Sequence, residues 1–315
     1  MNSKAIKRQL LAAIAMVLVA AIALGSSTYA WFVSNTKVSA TSSSVKSTSA
    51  TPNLLIVQGG TVAAPLKTGG KTSESITSAE ATALYPASSD DCKDWYAVSG
   101  WETGNNGSSL ANAYKKLTIT SGADDAAAIK AGTYTQGSST VNAYQVSNYS
   151  VYTTTGDVEL NLNPENPISV AVNTAGQKTD AHGFKDALRV GVVVNGTLKF
   201  VYAPTAEIGT GNDKDAVAGY RTVANDSSTK NVTYEVLSGT TFTDWTATNN
   251  NDGTYTKAVK SLGTVTTGGV LVQVYVWLEG TDADCVVGTA DVDADDNSYQ
   301  VTLNFVGATV DAPKP

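Results

Sequence analysis

Histidine is almost absent from this sequence, since His182 is the only one among 315 residues. A Ser-His-Asp triad would have to use that residue, and the chain contains no G-x-S-x-G nucleophile elbow. A zinc hydrolase usually needs two or more histidine ligands, and no H-E-x-x-H motif occurs. We interpret His182 as a solvated loop residue that precedes a strand. The sequence therefore predicts a protein that is not an enzyme.

Long apolar runs are also missing, apart from one of fifteen residues at Leu10–Leu24. Three basic residues precede this run and a few small residues follow it, which is the order of a secretory signal peptide. A helix that crosses a bilayer needs about 20 apolar residues. The run therefore predicts a signal peptide over residues 1–30, and contact with a membrane only while that peptide is uncleaved.

Cleavage is expected directly before an aromatic pair. Thr28 and Ala30 occupy the positions three and one before the predicted cleavage site, so Trp31 becomes the first residue of the mature chain. The mature protein is then secreted, and its predicted location is the extracellular matrix or the cell surface.

Cysteine occurs only at Cys92 and Cys285. No cysteine follows the apolar run, so a lipid-anchored lipoprotein is not expected. Export permits a disulfide between the two residues. The bond would close a very long loop and contribute at most about 5 kcal/mol in the chain-entropy model. Two buried thiols are the alternative, and the sequence leaves both open.

Charged residues make up only 16% of the chain. Three of the 21 basic residues belong to the signal peptide, so 18 remain against 28 acidic residues, a formal charge of −10 for the mature part. Such a surface repels nucleic acid and anionic membranes. We therefore expect no nucleic-acid partner.

Strand signals dominate the rest of the chain. Apolar and polar residues alternate in several segments, and Asn195-Gly196 between two such segments is a strong hairpin signal. One segment is apolar on both faces and predicts a central strand. The predicted strands lie at 53–58, 156–163, 186–204 (the hairpin), 269–280 (the central strand) and 298–307. The sequence predicts an all-β, antiparallel β-sandwich of jelly-roll kind, in one domain over 53–315.

Helix signals are sparse. Residues 108–117 and 124–132 each predict about two helical turns, as small insertions in the sandwich. Residues 66–83 read as loop or weak helix. Residues 34–52 consist almost entirely of Ser, Thr, Ala and Val, which alone cannot bury enough apolar surface to become ordered. We therefore predict an extended, mobile N-terminal arm over 31–52.

Acidic residues cluster near the C-terminus. Asp291, Asp293 and Asp295 alternate as in the first part of a calcium loop, but Asp296 and Thr302 stand where an EF-hand needs Gly and Glu. The EF-hand is therefore excluded, and a weaker calcium site or a solvated turn remains.

A second acidic group follows the central strand. Glu279, Asp282 and Asp284 would be held together if Cys285 were tethered by a disulfide. This group is the predicted place for a cation, and calcium is the candidate cofactor.

The residues around the cleavage site resemble a known family. The succession Thr28, Tyr29, Ala30, Trp31 and Phe32 is similar to the signal region of exported proteins processed by the SipW signal peptidase, which include the TasA/camelysin family of biofilm matrix proteins. The stretches LYPAS (84–88), ALRVGVV (187–193) and VYVWLEGTDADC (274–285) resemble motifs of SipW-signal proteins of gut Firmicutes.

The resemblance implies a jelly-roll sandwich that polymerises into a fibre. An N-terminal strand of one subunit completes a sheet of the next, and Trp31, Phe32, Val33 and Val38 would belong to that donor strand. If the side chains of Trp31 and Phe32 stayed in water, each would be less stable by roughly 2 kcal/mol than when buried. The implied partners are further copies of the same chain, head to tail, and a signal peptidase of SipW type.

Three alternatives remain open at this point. The N-terminal strand folds back into its own sandwich, or the protein is a monomeric adhesin whose loops at 99–113 and 205–230 bind a ligand. The camelysin side of the family implies a metallopeptidase, which the single histidine and the missing zinc motif disfavour.

Overall fold

Nearly all of the regular structure is β-strand. The computed structural model describes residues 38–47, 54–89, 91–98, 114–121, 127–136, 139–172, 184–204, 220–223, 230–233, 236–238, 244–251, 254–279 and 298–309. The strands in these residues are Val38–Ser47 (β1), Leu54–Gln58 (β2), Ser73–Leu84 (β3), Tyr96–Val98 (β4), Tyr114–Lys116 (β5), Thr120–Ser121 (β6), Ile129–Gln136 (β7), Ser139–Thr153 (β8), Val158–Leu162 (β9), Ile168–Val172 (β10), Leu188–Val194 (β11), Thr197–Ala203 (β12), Tyr220–Val223 (β13), Lys230–Thr233 (β14), Val236–Ser238 (β15), Thr248–Asn249 (β16), Tyr255–Thr256 (β17), Gly263–Val265 (β18), Val270–Leu278 (β19) and Ser298–Thr309 (β20). The one helix described is Phe184–Ala187 (α1).

The first layer of strands is built around the long strand β8. Its order is β15-β12-β11-β19-β8, and all neighbours pair antiparallel except β12 and β15. The edge of β8 away from β19 pairs with β7 and then, further along the strand, with β2. The predicted central strand at 269–280 is confirmed as β19, which has strands on both sides.

The second layer is built around the C-terminal strand β20. One edge of β20 pairs with β1 in parallel, and β3 continues the sheet beyond β1. The other edge pairs antiparallel with β10 and β9, and β18 adds to β9. Only one parallel pair, Leu84 with Asn142, joins this layer to the first among the described strands.

The main core lies between the two layers. It contains side chains of β2, β8, β11 and β19 from the first layer and of β9, β10 and β20 from the second. The predicted alternation is confirmed in β9, where Val158, Leu160 and Leu162 are all fully buried. The described part of the chain is therefore an all-β, sandwich-like fold with mainly antiparallel pairing, as the sequence predicted.

A second cluster covers the outer face of the first layer. Residues 85–89 and 91–98 cross this face and place Ala87, Cys92 and Trp95 against strands β8, β11, β12 and β19. The central strand β19 is therefore apolar on both faces because each face has its own cluster to fill.

The hairpin predicted at Asn195-Gly196 is confirmed, since it joins β11 to β12 and both turn residues have positive φ, 47° and 76°. Strict alternation puts Leu198, Phe200 and Tyr202 on one face of the second strand, and this detail of the prediction is wrong. A register shift beside Val193 places Leu198 against the outer cluster, whereas Phe200 lies in the main core. A bulge inserts one residue and reverses the side-chain phase, which simple alternation cannot show.

The predicted helical insertions are wrong where the structure describes them. Residues 114–116 form β5, which pairs with β4, and residues 129–132 of the second predicted helix belong to β7, which pairs with β8. Residues 73–83, read as loop or weak helix, belong to β3. Pairing with a neighbouring strand outweighs a weak local helix preference in each case.

Candidate functional site

The N-terminal strand β1 lies between two strands that are remote in sequence. It pairs antiparallel with β3 and parallel with β20, with eight residue pairs on each side. Both edges of β1 are thus inside the second layer. Residues 38–47 of the predicted arm fold back into their own chain, which is the alternative that the sequence left open, and Val38 pairs with Leu84.

A bulge divides β1 into two blocks. Along β20, Ala40 pairs with Tyr299 and Ser42 with the next residue, so Thr41 is an extra residue. Along β3, Ala40 pairs with Thr82 but Ser42 with Thr77, so residues 78–81 lie opposite Thr41. Both ladders are therefore interrupted at the same position of β1.

The residues of β1 opposite the buried side of β20 are all small or short. The register places Ala40, Ser43, Val45 and Ser47 opposite Tyr299, Val301, Leu303 and Phe305, respectively. The four β20 side chains are almost fully buried. Each backbone hydrogen bond of β1 to its two neighbours contributes about 0.5–1.5 kcal/mol net.

The two walls of the slot that holds β1 differ in support. Strand β20 is paired on its other edge with β9 and β10. The backbone N–H of Asn304 also donates a hydrogen bond to Pro167 O at 2.9 Å. Strand β3 has only the pair Leu84–Asn142 besides β1 among the described strands. Strand β20 therefore has two further strand partners, whereas β3 is otherwise held at its ends, where Lys71 is hydrogen-bonded to Ile56 and Tyr85 to Asn142.

The predicted cation ligand Glu279 is buried at the end of β19. Its carboxylate accepts hydrogen bonds from Ser88 Oγ and, at 3.2 Å, from Trp277 Nε1, and its backbone N–H donates to Ala187 O at 2.8 Å. The register makes Arg189, also fully buried, a diagonal neighbour of Glu279 across β11 and β19. Each carboxylate oxygen thus already has a donor within the fold.

The other predicted cation ligands, Asp282 and Asp284, lie outside the described residues. In the described ranges no three His, Cys, Asp or Glu side chains come together as a metal would need. The calcium site, and with it the alternation of Asp291, Asp293 and Asp295, stays a prediction.

Cys92 belongs to the cluster on the outer face of the first layer. It has a φ of 57°, its backbone N–H donates to Ser89 Oγ at 2.9 Å, and its Sγ lies over Gly191. A Cβ at Gly191 would come within 2.5 Å of that sulfur, so only glycine leaves room for it. Cys285 lies outside the described residues, and the disulfide stays a prediction.

Four aromatic side chains form a cluster that the sequence did not reveal. Trp95 stacks on Tyr144 with ring centroids 4.3 Å apart and meets Trp277 edge-on at 5.5 Å, while Tyr144 and Tyr275 are 5.2 Å apart. Burial raises the pKa of Tyr275 and of Tyr144 above the ordinary value. Both phenols are therefore neutral, and we assign the cluster a packing role.

Several predicted site residues lie outside the described part of the chain. They are the cleavage residues Thr28, Ala30 and Trp31, the strand residues Phe32 and Val33, His182, and the loops at 99–113, 205–219 and 224–229.

The described residues contain no helix with the length and apolar character that membrane crossing requires. Comparisons with protein-family models, with curated proteins and with solved structures give no match for the chain.

Proposed function

We propose that this chain is a non-enzymatic structural subunit of an extracellular or cell-surface fibre, of the biofilm-matrix type. A signal peptidase of SipW type would release Trp31 as the N-terminus of a secreted jelly-roll sandwich. The N-terminal strand of one copy would then occupy the slot between β3 and β20 of the next. The observation that carries the proposal is the position of β1, a strand near the chain start with a partner on each edge.

Exchange of β1 between copies leaves the number of contacts almost unchanged. The same ten residues would form the same two ladders in a neighbour. The free-energy difference between the two arrangements therefore comes from the linker and from chain entropy. Residues 48–53 connect β1 to β2, and six extended residues reach about 20 Å. Because the exchanged contact is head to tail, repetition produces a filament if the rotation between copies does not close a ring.

The aromatic residues before β1 would favour insertion of the strand into a neighbouring subunit over its own chain. Trp31, Phe32 and Val33 would enter the adjacent subunit ahead of the strand. Burying each large apolar side chain contributes roughly 1.5–3 kcal/mol. Before cleavage the same residues follow the apolar run of the signal peptide, so cleavage would start assembly.

A pair of cysteines tests where the strand sits. Ser39 lies directly opposite Ala83 in the antiparallel ladder, and opposed Cβ atoms there are about 4.5–5.5 Å apart, close to disulfide geometry. We expect mature Ser39→Cys/Ala83→Cys protein, oxidised after assembly, to give a ladder of covalent oligomers on a non-reducing gel. Negative-stain electron microscopy of unmodified mature protein should show filaments.

Each single substitution is a matched control, because it keeps one of the two introduced thiols beside the native Cys92 and Cys285 and cannot form the bond between positions 39 and 83. A single monomer band from the double variant, with uniform particles in the micrographs, would contradict the fibre proposal.

The pairing of β1 within its own chain favours a second candidate function. A sandwich that closes its own sheet needs no partner, so a monomeric adhesin or ligand-binding domain is the alternative. Under that alternative the disulfide of the double variant forms only within one chain, and deleting residues 31–38 leaves ligand binding intact. Under the fibre proposal the same deletion abolishes assembly.

A further inference from the structure

We infer that the exposed loop between β2 and β3 docks against a second copy of this chain, where it forms a contact between the bodies of successive subunits. The part that makes the contact is residues 61–66, which we call the apolar loop. The inference rests on the proposed function, because the exchange of β1 is what brings the second copy to this surface.

The apolar loop places hydrophobic side chains in water. Val62 and Leu66 are 48% and 42% exposed, and the two alanines that follow Val62 are exposed as well. Among the described residues only one other large hydrophobic side chain, Val259, is exposed. Single exposed hydrophobic residues are normal on a protein surface, whereas several together in one short loop favour an interaction site.

The backbone of the apolar loop is fixed although its side chains are not buried. The N–H of Leu66 donates to Ser150 Oγ at 2.9 Å, and this hydroxyl donates to Gly59 O at 2.7 Å. Thr61 and Ala64 exchange two backbone hydrogen bonds of 3.2 Å within a tight turn. Docking would therefore order little additional backbone, which reduces the entropy lost on association.

The apolar loop lies at the end of the fold where β1 stops and β2 starts. Lys71, which follows the loop, is hydrogen-bonded to Ile56 in β2. Ser73, two residues later, is paired with Lys46 near the end of β1. Ser150, which holds the loop, pairs with β2 about 10 Å from the start of that strand. The loop, the last residues of β1 and the first residues of β2 are therefore close together.

Exchange of β1 brings two such ends together. The exchanged strand leaves its own body just before β2, and its last residues lie at the same end of the neighbour's slot. Residues 48–53 connect the two positions and reach about 20 Å when fully extended. The donor and acceptor bodies must therefore meet at the ends that carry the apolar loop. The chain connection supplies a second copy as the occupant, and burial of the exposed side chains stabilises the contact.

Aspartate in place of the two exposed side chains tests the inference in the full mature chain. We expect Val62→Asp/Leu66→Asp to raise the protein concentration needed for half-maximal association by roughly tenfold or more, because charges replace apolar surface in the contact. Analytical ultracentrifugation measures the association. An unchanged melting temperature shows that the fold of the variant is intact.

Val259→Asp is the matched control. This valine is 88% exposed, more than either residue of the apolar loop, and the backbone N–H of its neighbour Ala258 donates to Asn161 Oδ1 in the second layer. The apolar loop instead lies against Ser150 of the first layer. The control therefore adds a charge at an exposed valine on another surface and should leave the association unchanged.

The outcomes separate the inference from the fibre proposal. Strand exchange is read from interchain disulfides of Ser39→Cys/Ala83→Cys, and the loop contact from the effect of the aspartates on association. If exchange occurs but the aspartates have no effect, or Val259→Asp weakens association equally, the inference is wrong and the fibre proposal stands. If the disulfide forms only within one chain but the aspartates still abolish association, the loop contact stands without the fibre. A parent chain that stays monomeric at high concentration would overturn both.

Discussion

Strands β1 and β20 are neighbours in one sheet, but different interactions hold them. Strand β20 buries Tyr299, Val301, Leu303 and Phe305, each with no more than 1% exposure, and it keeps β9 and β10 on its far edge. Strand β1 has serine at half of its positions and pairs through its backbone on both sides. One sheet thus combines a strand anchored by side chains with a strand that an identical copy could replace.

The largest expected effect lies on the anchored side of this comparison. Phe305 is fully buried in the main core, so Phe305→Ala should lower the free energy of unfolding by about 3–5 kcal/mol. Urea unfolding measures the change. Gln300→Ala, at an exposed position of the same strand, is the control and should change it by less than about 0.5 kcal/mol. A loss at Phe305 no larger than that of the control would show that β20 is not the anchored wall.

A second side-chain anchor lies in the first layer. Removing the buried carboxylate in Glu279→Ala leaves the Ser88 hydroxyl and the Trp277 indole N–H without their acceptor. We expect the free energy of unfolding to fall by about 2–3 kcal/mol. Glu159→Ala is the matched control, because its carboxylate accepts hydrogen bonds from Ser261 and Thr264 at a less buried site. Equal effects of the two substitutions would contradict an anchoring role for Glu279.

A smaller effect is expected when the backbone of β1 is changed. Proline at position 44 removes an N–H from a strand that is paired on both edges, so Ser44→Pro should cost about 1–2 kcal/mol, and under the fibre proposal it should also prevent filament formation. Thr41→Pro places the same ring at the residue that neither ladder uses. If both prolines had the same effect on urea unfolding, the pairing of β1 would not be what holds it.

The smallest effect is expected between pH 9 and pH 11, where buried tyrosines of the outer cluster affect stability. Burial, followed by the charges of Tyr144 and Cys92, raises the pKa of Tyr275. The unfolded chain therefore loses the phenol proton at a lower pH than the folded protein does. Stability is complete below the ordinary pKa of about 10 and then falls by up to about 1.4 kcal/mol per pH unit until the folded-state pKa is reached.

Urea unfolding at pH 9 and pH 11 measures this slope. Tyr275→Phe should reduce the slope, and Tyr144→Phe should reduce it as well, because burial raises the pKa of both phenols. An unchanged slope in Tyr275→Phe would show that another group titrates.

Alternation in the sequence predicted the elements that bury one face. Strands β9 and β20 and the Asn195-Gly196 hairpin follow the predicted pattern because a period of two directly reports a half-buried strand. The same rule failed at Leu198, where a bulge reverses the phase. It also failed for β3 and β7, since their strand state comes from pairing with remote residues rather than from local preference.

The candidate site was only partly visible in the sequence. The aromatic and β-branched residues after the predicted cleavage site suggested an N-terminal pairing strand, and residues 38–47 of the predicted arm do form a paired strand. Its partners could not be predicted, because β3 and β20 are separated by more than two hundred residues and neither carries a signal for the other. Trp95 was missed because a single aromatic residue in an irregular segment has no periodicity.

The sequence by itself determined the all-β class, the central strand β19 and the scarcity of groups for hydrolytic chemistry, since each follows from composition or from local periodicity. The tertiary structure decided that β1 closes the sheet between β3 and β20, and that Glu279 lies among hydrogen-bond donors within the fold. These features depend on pairing between segments far apart in the chain, and the free energy of such pairing belongs to the two segments together rather than to either one.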